Sequence, residues 1–95
     1  MKKKFKYVIL LGSWLFSIGS LKAQDSKSLF QTANSYYLNK QYEEAEKMYA
    51  LLLKKDKNNA NAYYNLGNTY YHLKNYSNAI LNYEKVKKLQ PDNKY

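Results

Sequence analysis

From residue 25 onward, apolar and small side chains recur three and four apart, the spacing that gathers them on one face of a helix. Leu29, Thr32, Ala33 and Tyr36 form the first such stripe, and Ala45, Met48, Tyr49, Leu52 and Leu53 the second. Tyr63, Leu66, Gly67 and Tyr70 form a third, and Ala79, Ile80, Tyr83, Val86 and Leu89 a fourth. Polar stretches separate them: Asn39-Lys40-Gln41, Asp56-Lys57-Asn58-Asn59 and Lys74-Asn75. The pattern predicts a first helix running to about Asn39, and others from about Tyr42 to Lys55, about Ala60 to about Leu73, and about Ser77 to Leu89. Asp25 and Ser26 are good N-caps for the first. Glu43, Glu44 and Glu46 open the second and Lys54 and Lys55 close it, which suits the helix dipole and reads as a solvated face. Pro91 stops the fourth. No stretch alternates as a half-buried strand does, so the expected class is all-α.

The stripes repeat. Shifted by 34 residues, Ala33 falls on Gly67, Tyr36 on Tyr70, Tyr42 on Tyr76, Ala45 on Ala79 and Tyr49 on Tyr83. A fixed period of this length marks stacked helical hairpins. The expected repeats are 26–59 and 60–93, inside a domain spanning 24–95.

The first 23 residues break the pattern. Lys2, Lys3, Lys4 and Lys6 precede an apolar run from Tyr7 to Ile18, and Ala23 supplies a small residue ahead of Gln24. This reads as a secretory signal peptide over 1–23, although Leu21 is bulky for its place in the cleavage pattern. The alternative is an uncleaved membrane anchor, for which the run falls short of about 20 apolar residues. Either reading places the repeats outside the cytoplasm, periplasmic or secreted. Membrane contact would then come only through an uncleaved leader.

That leader changes the meaning of the charge. The chain carries +9 overall, but five lysines lie in residues 1–23, and the remainder holds eleven lysines against seven acids, a net +4. Arginine, which supplies the bidentate contacts to phosphate and guanine, is absent. Nucleic acid is therefore not an expected partner. With no cysteine, disulfides, thiolate metal sites and cysteine catalysis are excluded, and stability must come from helix packing.

The residues Tyr63-x2-Leu66-Gly67-x2-Tyr70, Ala79-x3-Tyr83 and Pro91 resemble the tetratricopeptide repeat (TPR) family. Tyr63 departs from the family's usual Trp, and Val86 stands where it prefers a small residue. The first unit is less regular, with Thr32 for the leucine and Lys57 for the proline. The resemblance implies two hairpins in a short right-handed α-solenoid. Gly67 and Ala33 would let the second helix approach, with Ala79 and Ala45 facing them, and the tyrosines and Met48 would fill core. The segment from Asn65 to Pro91 also looks like the TPR part of exported bacterial proteins of aerotolerance-type operons.

The resemblance further implies a concave groove lined by the first helix of each repeat, receiving a protein or peptide. By position its residues would be Lys27, Phe30, Asn34, Tyr37 and Leu38, then Asn61, Tyr64, Asn68, Tyr71 and His72, with Gln31 and Asn65 beside them. Asn34 and Asn68 either bond an extended peptide backbone or join neighbouring hairpins. Phe30 stands where a carboxylate-gripping lysine would be, so no carboxylate clamp is expected.

Little else suggests chemistry. His72 is the only histidine, and the three glycines are scattered, so neither a multi-histidine metal site nor a phosphate loop is expected. No nucleophile has a base beside it. The expectation is a non-enzymatic interaction module without cofactor or small-molecule substrate. Its alternatives are a self-assembling element, including a homodimer, or the front of a longer membrane-associated chain with further repeats, because two units leave Tyr83, Val86 and Leu89 partly bare.

Overall fold

The computed structural model describes residues 25–92. The expected signal peptide lies outside them. Four helices follow one another: α1 (Ser26–Leu38), α2 (Tyr42–Lys55), α3 (Ala60–His72) and α4 (Tyr76–Leu89). No strand occurs among the described residues. Side chains satisfy the orphan amides at three of the four helix starts. Ser28 N donates to Asp25 Oδ1 at 2.8 Å, Ala62 N to Asn59 Oδ1 at 3.0 Å, and Asn78 N to Asn75 Oδ1 at 3.4 Å. Gln41 makes no such bond.

The turn inside each hairpin is the same structure twice. Lys40 and Lys74 sit in the left-handed region, at φ 61° and 63°. Gln41 N bonds Tyr36 O at 2.9 Å and Lys40 N bonds Tyr37 O at 3.0 Å; Asn75 to Tyr70 and Lys74 to Tyr71 repeat both distances. This paired closure is a Schellman motif, usually built on glycine.

Each helix packs on the next, α1 also touches α3, and among the described residues α4 packs on α3 alone. The core joins Leu29 and Ala33 of α1, Ala45, Tyr49 and Leu52 of α2, and Ala62 and Leu66 of α3. Phe30, Tyr36, Tyr37, Met48, Leu53 and Tyr70 lie against it. In α4 only Ala79 and Val86 are buried.

Two expectations about α4 and α3 need correction. Ile80 was expected inward and is 56% exposed, because no helix among the described residues covers that flank of α4. Gly67 was expected to face the small Ala79, and the first atoms a Cβ there would meet are those of the Tyr83 ring, at 2.6 Å. The glycine therefore makes room for an aromatic ring, and a side chain must displace it.

Candidate partner-binding surface

Along the facing helices α1 and α3, the candidate residues fall into three groups. At their N-terminal ends, Lys27, Phe30 and Asn61 border an open cleft of about 500 Å³, together with Ser26, Gln31, Asp56 and Asn59. Lys27 and Asn61 are exposed, whereas Phe30 is half-buried with its ring edge-on to Tyr49, 6.2 Å between centroids.

Midway lies a polar seam. The Asn34 Oδ1 accepts from the Tyr49 hydroxyl and, at 3.1 Å, from Asn65 Nδ2. One amide oxygen thus ties α1 to both α2 and α3. Tyr49 is fully buried, and loss of solvent pushes its phenol up to about 12, partly offset by a hydrogen bond with Asn65. In the second repeat the Tyr83 hydroxyl donates to Asn68 Oδ1 in the same way. Asn34 and Asn68 therefore both spend an oxygen inside the fold.

Toward the C-terminal ends the surface becomes a ridge of rings. His72 stacks on Tyr42 with centroids 4.6 Å apart and planes within 2°, and its Nε2 lies 3.1 Å from the Tyr37 hydroxyl. Tyr37 meets both Tyr42 and His72 edge-on at 5.6 Å. Tyr71 meets Tyr76 edge-on at 5.5 Å, and Tyr64 lies 5.8 Å from Tyr83. Burial first, then neighbouring phenols, raise Tyr37 and Tyr83: Tyr42 and Tyr64 act on the former, and Tyr64, Tyr37 and Tyr71 on the latter. The phenol oxygens of both repeats thus share one surface. Tyr71 is 58% exposed on it, and Leu38, at the tip of α1, 77%.

The sequence reading missed the part played by second-helix residues. Tyr42, Tyr49, Tyr76 and Tyr83 supply rings or hydroxyls to this face, and the clue was a recurring 15-residue separation, Asn34 to Tyr49 and Asn68 to Tyr83. Glu46 was read as part of a solvated face. It is half-buried and accepts from the Tyr70 hydroxyl, which, after burial, helps to hold that phenol up. Among the described residues, no group of three or more His, Asp or Glu stands close enough for a metal ion, and no helix is long and apolar enough to cross a membrane.

A comparison with curated proteins returned no match. Two family profiles match, both described as Tetratricopeptide repeat: one over residues 27–59 and one over 60–93. TPR domains generally mediate protein–protein interaction and are typically non-catalytic. Two consecutive matches, on the same units as the two helical hairpins, make this chain a member of the tetratricopeptide repeat family.

Proposed function

We propose that the chain is an exported, non-catalytic adaptor that holds an extended peptide or a protein partner on the surface formed by α1 and α3. Residues 1–23 would direct export and be removed, leaving the repeats in the periplasm or outside the cell. Lys27, Phe30, Asn61, Tyr64, Tyr71 and His72 would contact the partner directly. Asn34, Asn65 and Asn68 would hold the floor of the groove, with their remaining amide groups open to a backbone. The observation that carries this reading is the ridge of rings, with Tyr71 largely exposed and edge-on to His72 and Tyr76, and Tyr64 against Tyr83. Aromatic anchors on a rigid support supply most of the energy at such interfaces. Exposed apolar area beyond what two hairpins need for their own core marks an interaction site.

The test is co-purification from the periplasm with the wild-type chain and a Tyr64→Ala/Tyr71→Ala variant. A protein retained by the first and lost by the second is the expected result. Equal retention by both would remove the groove from consideration.

A further inference from the structure

The internal repeat shows how a hairpin's first helix docks on the hairpin before it. In α3, Thr69 is fully buried, Asn65 is half-buried and bonded to Asn34, and His72 covers Tyr42. The counterparts in α1 are Ser35, Gln31 and Leu38, and all three are exposed. At the opposite end, α4 leaves bare what α2 covers. Tyr76 and Ile80 are both more than half exposed, while their counterparts Tyr42 and Glu46 are half-buried under His72 and Tyr70. Tyr83 is half-buried where Tyr49 is closed off completely.

We propose that these two bare faces bind each other in a second copy of the chain. The α1 helix of one molecule docks on α4 and α3 of the next, as α3 docks on α2 and α1 within one molecule. The register then sets Leu38 on Tyr76, Tyr36 beside Ile80, and Gln31 against the Asn68 amide. The substitutions between the inner interface and the bare faces run in step. Where the inner interface uses polar His72 and Glu46, the two free ends carry Leu38 and Ile80. Among the described residues six large apolar side chains are exposed, and three of them (Leu38, Tyr76 and Ile80) fall on this one register; Leu51, Tyr71 and Leu81 do not.

Charge follows the same logic. Lys87 of α4 stands where α2 has Leu53, and Asp25 at the start of α1 stands where α3 has Asn59. Docking brings this opposite pair to the same end of the interface. Because the two faces differ, each docking leaves a fresh face at either end, so association continues past the dimer instead of closing. The other occupant such a face could take is a third hairpin, whose presence there would block docking of a second copy.

Sedimentation equilibrium of the full chain, in a nonionic detergent that covers the apolar leader, tests the proposal. The expected mass rises with concentration through dimer without a plateau. Leu38→Lys and Ile80→Lys, both at exposed positions, should each give monomers with unchanged helical circular dichroism. An equimolar mixture of the two should give a dimer that does not grow, since each variant keeps the face that the other has lost. A wild-type chain monomeric throughout, variants that assemble like the wild type, or a mixture that stays monomeric would each overturn it.

Discussion

The two repeats carry the same hairpin in different surroundings. Tyr49 and Tyr83 are counterparts, each donating its hydroxyl to an asparagine fifteen residues earlier. Yet Tyr49 is shut away beneath α3 while Tyr83 lies on a helix that, among the described residues, packs on α3 alone. Ser35 and Thr69 differ in the opposite sense, exposed in the first repeat against fully buried in the second. The hairpin pattern therefore specifies which residues form a unit. How tightly each is held depends on whether another unit lies over it, as expected where stability is a sum of unit and neighbour terms.

The sharpest way to break this contrast is truncation of the two tyrosines. Tyr49→Ala should cost about 3–5 kcal/mol, enough to unfold most of a chain this small, whereas Tyr83→Ala should cost about half as much. Urea denaturation followed by circular dichroism measures both, and equal losses would mean the open flank of α4 is covered. The asparagines sharpen it next. Asn34→Ala strands two donors, Tyr49 and Asn65, for a loss of about 2–3 kcal/mol, while Asn68→Ala strands only the half-exposed Tyr83 hydroxyl, at about 1 kcal/mol.

Alkaline titration separates the repeats without cavities. The Tyr49 phenol is raised in the folded state from 10.0 to about 12, so its contribution is fully present below pH 10 and is lost as pH rises from there toward 12. The loss across that window should be about 2 kcal/mol. Tyr49→Phe should flatten the slope of stability against pH in this range more than Tyr83→Phe does. The smallest effect belongs to a place where the repeats do not differ. Lys40→Gly and Lys74→Gly, which relieve the same left-handed strain, should each raise stability by about 1 kcal/mol and by similar amounts.

Much of this fold was legible before any coordinates, because 3.6-residue periodicity and a 34-residue repeat are properties of sequence alone. Helix starts at Tyr42 and Ala60 follow from polar turn residues set against apolar stripes, the first start lay between two cap candidates, Asp25 and Ser26, and α4 begins one residue earlier than its expected Ser77. Ile80 was misplaced because periodicity identifies an apolar stripe without saying whether a neighbour exists to cover it. The seam at Asn34 was only half visible. An asparagine on a groove-facing helix is compatible with a free amide or a bonded one, and only three-dimensional placement brings Tyr49 and Asn65 to the same oxygen. Glu46 was read from its place near a helix start, and its bond to Tyr70 crosses between hairpins, beyond any local rule.

The Lys40 and Lys74 turns fix the angle within each hairpin, and Asn34 is the polar tie, beside the core packing of Leu29, Ala62 and Leu66, that helps to hold the angle between hairpins. Its single carbonyl must point at two hydrogens from different helices, which allows only a narrow range of tilt between one hairpin and the next. In a stacked array that tilt, compounded at every step, becomes curvature and pitch. One amide, with the apolar core beside it, therefore helps to set the radius of the arc along which rings from successive hairpins would be spaced.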